Sequence, residues 1–124
     1  MAVVTLDDQI TIALSVRDRH ASAEWYNRML GFTLRHHLDE VGWSELNTKT
    51  EGVVLGLGEQ GEPQPGNSVP VFGTPDIHAA RAALEAEGVS FDGETQTMEG
   101  MVSLATFYDP DGNALMLAQD LSKG

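Results

Sequence analysis

The chain has 124 residues, of which 41% are apolar, and a formal net charge of −12 from 19 acidic against 7 basic residues. This length and composition favour one globular domain over residues 1–124, and the lack of cysteine excludes disulfides, thiolate zinc sites and a cysteine nucleophile. The excess of acidic residues disfavours binding to nucleic acid. No apolar run approaches the ~20 residues that a helix needs to span a bilayer. Because residues 1–8 also lack the pattern of a secretion signal, we expect a cytoplasmic protein without nucleic acid or membrane partners.

The first module, residues 9–58, has the pattern of a β-α-β-β-β unit. Residues 10–17 alternate between apolar and small or polar side chains, which is typical of a strand with one face against a helix. Asp18 is placed to cap the helix that follows, and Gly31 is placed to end it. Three further strands are predicted at residues 32–37, 43–48 and 52–57.

Residues 58–67 form the predicted linker, because they are rich in Gly and Pro and almost without apolar side chains. The second module, residues 68–120, repeats the first, with Asp76 in the place of Asp18. Its predicted elements are a strand at 68–74, a helix at about 77–87, and strands near 89–91, 101–108 and 114–118. The internal repeat predicts two similar half-domains, with a pocket favoured at the seam between them.

Two sequence motifs resemble those of a known family. They are Trp-Tyr-x-x-x-Leu-Gly-Phe at residues 25–32 and Asp-Pro-Asp-Gly-Asn at residues 109–113. With the paired modules, they resemble the vicinal oxygen chelate superfamily, which contains glyoxalase I, bleomycin-resistance proteins and ring-cleaving dioxygenases. The resemblance covers about residues 9–120. It implies an α+β fold whose two tandem β-α-β-β-β modules form an open, cleft-bearing sheet, usually completed by a homodimer, with a small-molecule ligand in the cleft.

The positions that this resemblance implies for metal ligands hold no suitable donor. Carried over one at a time, they are Thr11, Gly56, Val69 and Met116. A divalent ion of the glyoxalase type needs imidazole or carboxylate donors that converge on one point. His36 and His37 are neighbours on a strand, so their side chains point to opposite faces, and His20 and His78 are expected outside the sheet. We therefore expect neither a metal nor another cofactor.

The predicted cleft combines small and apolar side chains with a few polar groups, as small-molecule pockets do. Its residues are Thr11, Ala13, Trp43, Glu45, Gly56, Val69, Val71, Phe107 and Met116. Trp43 and Glu45 share one face of a strand, and the sequence leaves open whether that face or the face with Leu46 points inward. The glycine-flanked stretch 93–100 is a candidate flap.

Two classes of function fit these patterns. The first is a metal-free protein that binds a small molecule of cationic or aromatic character in an apolar cleft. The second is a cofactor-free enzyme in which Glu45 or a cleft histidine such as His37 acts as general base. A metal-dependent lyase or oxygenase of the glyoxalase or dioxygenase type is the third candidate, and the four substituted ligand positions argue against it.

Overall fold

The structure, a computed structural model, describes residues 8–65 and 69–122. The chain divides into two compact units, Met1–Glu62 and Pro63–Gly124. This boundary falls inside the predicted linker, residues 58–67, although the last two linker residues lie outside the described part. Residues 1–7, on which the predicted lack of a secretion signal mainly rests, lie outside the described part as well. So does the first residue of the strand predicted at 68–74. Whether both units belong to one domain stays a prediction.

In unit one, Met1–Glu62, the described residues form four strands and one α-helix. Its elements are β1 Ile10–Val16, α1 Arg19–Leu30, β2 Thr33–Leu38, a short 3-10 helix Asp39–Val41, β3 Trp43–Asn47 and β4 Val53–Glu59. The strand order is β1-β4-β3-β2, in which β1 runs parallel to β4 and the other neighbours are antiparallel. The predicted β-α-β-β-β order is confirmed.

The helix of unit one begins and ends where the sequence predicts. The Asp18 side chain accepts a hydrogen bond from the Ala21 backbone N–H at 3.1 Å, as a helix cap does. Gly31 ends α1 with φ of 76°, a left-handed conformation that glycine adopts without strain. Leu14 and Val16 of β1 are buried on the side that carries α1. We call this side of each sheet the helix face and the opposite side the open face.

Unit two, Pro63–Gly124, repeats this topology. Its elements are β5 Val71–Gly73, α2 Ile77–Ala86, β6 Gln96–Met98, β7 Val102–Tyr108 and β8 Ala114–Asp120. The strand order is β5-β8-β7-β6, again with the first strand parallel to the last. The described residues therefore form an α+β architecture with two four-stranded sheets. Neither helix in the described residues is long and apolar enough to cross a membrane.

One strand of unit two is not where the sequence predicts it. Residues 89–91 are not a strand, since the Val89 N–H bonds back to the Leu84 carbonyl and closes the end of α2. Phe91 makes only an isolated bridge with Phe107. The edge strand is instead β6, inside the 93–100 stretch predicted as a flap.

Candidate functional site

The structure shows which face of β3 points toward the helix, a choice that the sequence leaves open. Ser44 and Leu46 are fully buried on the helix face, and the Ser44 hydroxyl accepts a hydrogen bond from Arg19 of α1 at 2.9 Å. Because side chains alternate along a strand, Trp43 and Glu45 lie on the open face. They share that face with Thr11 and Ala13 of β1, which are exposed.

The Trp43 ring lies over two glycines of β4. A Cβ atom at Gly56 would overlap the indole, and one at Gly58 would stand 3.7 Å from ring atoms Cε3 and Cζ3. Thr11 Cγ2 lies 3.1 Å from the same Cβ position at Gly56. The two glycines thus form a trough that the half-buried ring occupies.

Glu45 ties this ring to two basic side chains of β2. The Trp43 Nε1–H donates to Glu45 Oε2 at 2.9 Å. The other oxygen, Oε1, lies 3.5 Å from His36 Nε2 and 3.9 Å from Arg35 Nε. The register of β2 and β3 shifts between Leu34 and His36, which makes Arg35 the extra residue of a β-bulge. A bulge re-aims side chains at such a point, and here it directs two neighbouring residues toward one carboxylate.

A second polar group lies on the helix face of the same sheet. We call Arg19, His20, His37, Asp39 and Ser44 the junction cluster, because these residues come from α1, β2, the 3-10 helix and β3. Arg19 is 5% exposed and donates to Ser44 Oγ at 2.9 Å and Asp39 Oδ1 at 3.0 Å. The His20 and His37 rings stack with centroids 3.8 Å apart. The sequence predicts His20 outside the sheet but does not indicate its partners, because they meet only through the fold.

Two groups of the junction cluster have shifted pKa values. Burial, followed by the charge of His20, lowers the pKa of His37 below its usual 6.5. Its Nδ1 lies 2.6 Å from Ser44 Oγ. Since Arg19 can only donate to that hydroxyl, the Ser44 proton is available for Nδ1 of a neutral imidazole. Hydrogen bonds from His20 and Arg19 lower the pKa of Asp39 below 3.8.

The junction cluster also brings three metal-type donors together. One ligand atom each of His20, His37 and Asp39 lies within 4.8 Å of the others. However, Asp39 Oδ1 lies 3.0 Å from both Arg19 Nη2 and His20 Nε2. A guanidinium at that distance opposes a second cation on the same carboxylate. The arrangement is that of a satisfied ion-pair network.

Two candidate site residues lie on the helix face of their own sheet and not on its open face. His37 was a candidate base beside Glu45, but it faces α1 while Glu45 lies on the open face. Phe107 was a candidate cleft residue, but its side chain is fully buried and its ring lies 5.4 Å from that of Phe91. Alternation along β7 places Phe107 opposite the face that carries Met116 of β8.

The remaining predicted cleft residues divide between the two units. Val71 and Met116 are register partners on the open face of unit two. Val69 is 41% exposed and precedes β5. Gly56 is buried below the Trp43 ring. The polar pair Arg35 and His36 was missed as a partner of Glu45, because a bulge leaves no clear signal in a single sequence.

Comparison with known proteins identifies related folds. The family model described as Glyoxalase/Bleomycin resistance protein/Dioxygenase superfamily matches residues 9–117. The antibiotic-binding protein TnmS3 from Streptomyces sp. CB03234 is 26% identical, with a TM-score of 0.76 over 97% of this chain and 99% of that chain. A lactoylglutathione lyase from Agrobacterium tumefaciens is 16% identical, with a TM-score of 0.73 over 93% of this chain and 95% of that chain. No curated protein gives a significant match.

Proposed function

Because this chain belongs to the Glyoxalase/Bleomycin resistance protein/Dioxygenase superfamily, we propose that it binds a small molecule that stacks on Trp43 at the open face of unit one. The fixed position of Trp43 is the main support for the proposal. Its ring is placed over two glycines, and its N–H donates a hydrogen bond to Glu45. A side chain that is already fixed loses little conformational entropy when a ligand stacks on it. The similarity to an antibiotic-binding protein supports a binding role.

We place no metal in this site. The four positions that correspond to metal ligands are Thr11, Gly56, Val69 and Met116. These residues do not fit the divalent ion of the superfamily's metal enzymes, because they offer no imidazole or carboxylate. At Gly56, the Trp43 ring also fills the space that a longer side chain would need.

A cofactor-free enzyme with Glu45 as general base has less support. Both carboxylate oxygens already face donors, Oε2 the indole N–H and Oε1 the side chains of His36 and Arg35. The other candidate base, His37, is on the opposite face. Binding is therefore the better-supported function.

Nuclear magnetic resonance of the indole N–H groups tests the proposal directly. The protein has two tryptophans, so a Trp25→Phe variant assigns the Trp43 signal. Titration with 2-naphthamide, a flat neutral probe, is expected to shift that signal saturably. The Trp25→Phe variant should keep this binding. Trp43→Ala has no Trp43 signal, so its binding is followed through the line broadening of the probe's own proton signals, and it should be lost. Absence of a saturable shift at Trp43, or equal binding by both variants, would contradict the proposal.

The proposal includes a homodimer and a cytoplasmic location. The resemblance supports the dimer, and the acidic, cysteine-free composition supports the location. Cell fractionation that finds the protein outside the cytoplasm would contradict the second part.

A further inference from the structure

We infer, on the premise of the proposed binding site, that the ligand carries an anionic or neutral oxygen acceptor beside its aromatic ring and is not a cation. The overall charge of −12 suggests the opposite preference. The charges nearest the site favour an oxygen acceptor instead, because a ligand in contact with the protein interacts mainly with the charges closest to it.

The open face of unit one is not acidic. Among the described residues of β1 to β4 that lie on this face, Glu45 is the only acid. The other acid of these strands, Glu59, lies on the helix face and accepts from Arg19 Nε at 3.0 Å. Asp8 and Glu51 stand apart from this set, at the ends of β1 and β4.

The negative charge of Glu45 already has partners within the protein. Its side chain is 20% exposed, and its Oε1 faces Arg35 and His36 while Oε2 accepts from Trp43. A cationic ligand would have to displace these partners from the carboxylate. It would then stand beside the Arg35 guanidinium, where like charges repel.

Arg35 supplies the donor for a ligand oxygen. Its Nε faces Glu45, and its Nη1 donates to Gln9 Oε1 at 3.1 Å. Among the described residues, no hydrogen bond from Nη2 is found, and the side chain is 32% exposed. Glu45 contacts both the indole N–H of Trp43 and the Arg35 guanidinium. The guanidinium donor therefore lies beside the ring on which we propose that the ligand stacks. A planar guanidinium suits a carboxylate, a phenolate or a quinone carbonyl.

Three probes with one ring system test this inference. They are 2-naphthoate, 2-naphthamide and 2-naphthylmethylammonium, each titrated at neutral pH while the Trp43 indole signal is followed. We expect 2-naphthoate to bind at least about tenfold more tightly than the ammonium, the ratio that ~1.4 kcal/mol gives. Arg35→Met should remove this preference. Arg28→Met changes the net charge equally but lies on α1, across the sheet, and should keep the preference.

The possible outcomes separate this inference from the proposed function. If the ammonium binds as tightly as the carboxylate and still requires Trp43, the charge preference is wrong while the stacking site stands. If Arg28→Met weakens 2-naphthoate binding as much as Arg35→Met, the preference arises from long-range charge and the role of Arg35 is wrong. If none of the three probes shifts the Trp43 signal, the proposed site fails and this inference fails with it.

Discussion

At the scale of single residues, position 56 links the expected lack of a metal ligand to the aromatic surface of the proposed binding site. The resemblance places a metal ligand at Gly56, and the structure places the Trp43 indole over that same residue. A long side chain at position 56 and the ring in its present place exclude each other sterically. Glycine at this position therefore does more than omit a donor, because it also makes room for the aromatic surface that we propose binds the ligand.

Replacing Gly56 by alanine is expected to displace the Trp43 ring. The added Cβ would overlap the indole, and overpacking of this kind destabilises proteins by about 1–3 kcal/mol. Urea unfolding should show this loss, and the Trp43 indole signal should move. Gly61→Ala is the matched control, because a Cβ there meets no heavy atom within 4 Å. Equal unfolding midpoints for the two variants would show that Trp43 is not packed on Gly56.

At the scale of elements, local signals predicted the helices and strands better than their orientation. The caps of α1 depend on residues only a few positions away, such as Asp18 and Gly31, so the sequence predicted them. A period of two shows which side chains share a face, but not which face meets the helix. For β3, that choice follows from the contact of Arg19 with Ser44, 25 residues apart.

The features that the sequence did not predict depend on pairing between strands or leave no apolar pattern in one strand. Phe107 and Met116 were both expected in the cleft, although the antiparallel register of β7 and β8 places them on opposite faces. The edge strand β6 has three residues, all exposed, so it leaves no apolar alternation to detect. The bulge at Arg35 is set by pairing with β3, which one strand's sequence does not contain.

The junction cluster predicts how the stability of this fold changes with pH. His37 has a lowered pKa in the folded protein, so the unfolded chain binds the proton more tightly. The free energy of unfolding is then fully retained above about 6.5 and falls as the pH drops below that value toward the lowered pKa. His37→Asn keeps a polar partner for Ser44 and removes this titration. Its free energy of unfolding should therefore decrease less with falling pH.

Urea unfolding at pH 7.5, 6.5 and 5.5 measures this pH dependence. The difference between the values at 7.5 and 5.5 is the quantity to compare, because His37→Asn also changes the stability itself. His78→Asn is the control, since His78 is exposed and lies in the first turn of α2, outside the junction cluster. The same pH dependence in the wild type and in His37→Asn would contradict the role given to His37.

At the scale of the whole molecule, the two units share a scaffold and differ in their open faces. Both helices are capped by an aspartate, Asp18 in unit one and Asp76 in unit two, at 3.1 Å. The open face of unit one carries an aromatic ring, an acid and two basic groups, whereas Val71 and Met116 are paired at the corresponding place in unit two. Scaffold residues thus identify the superfamily, while function depends on surfaces that the repeat does not preserve.

The homodimer that the resemblance implies should strengthen with salt. Each chain carries a formal charge of −12, so two chains repel at low ionic strength. Several large apolar side chains are exposed in the described residues, among them Ile10, Val41, Val71 and Met101. Raising the ionic strength from 0.01 to 0.15 M shortens the Debye length from about 30 to about 8 Å. This screening weakens the repulsion and leaves apolar burial largely intact.

Light scattering coupled to size exclusion measures the dimer at both ionic strengths. We expect a mass near twice the 13.4 kDa of one chain at 0.15 M and a larger monomer fraction at 0.01 M. A dimer held together by opposite charges would show the reverse trend, because salt would weaken its ion pairs. A mass of one chain at both ionic strengths, at protein concentrations up to about 0.1 mM, would contradict the dimer itself.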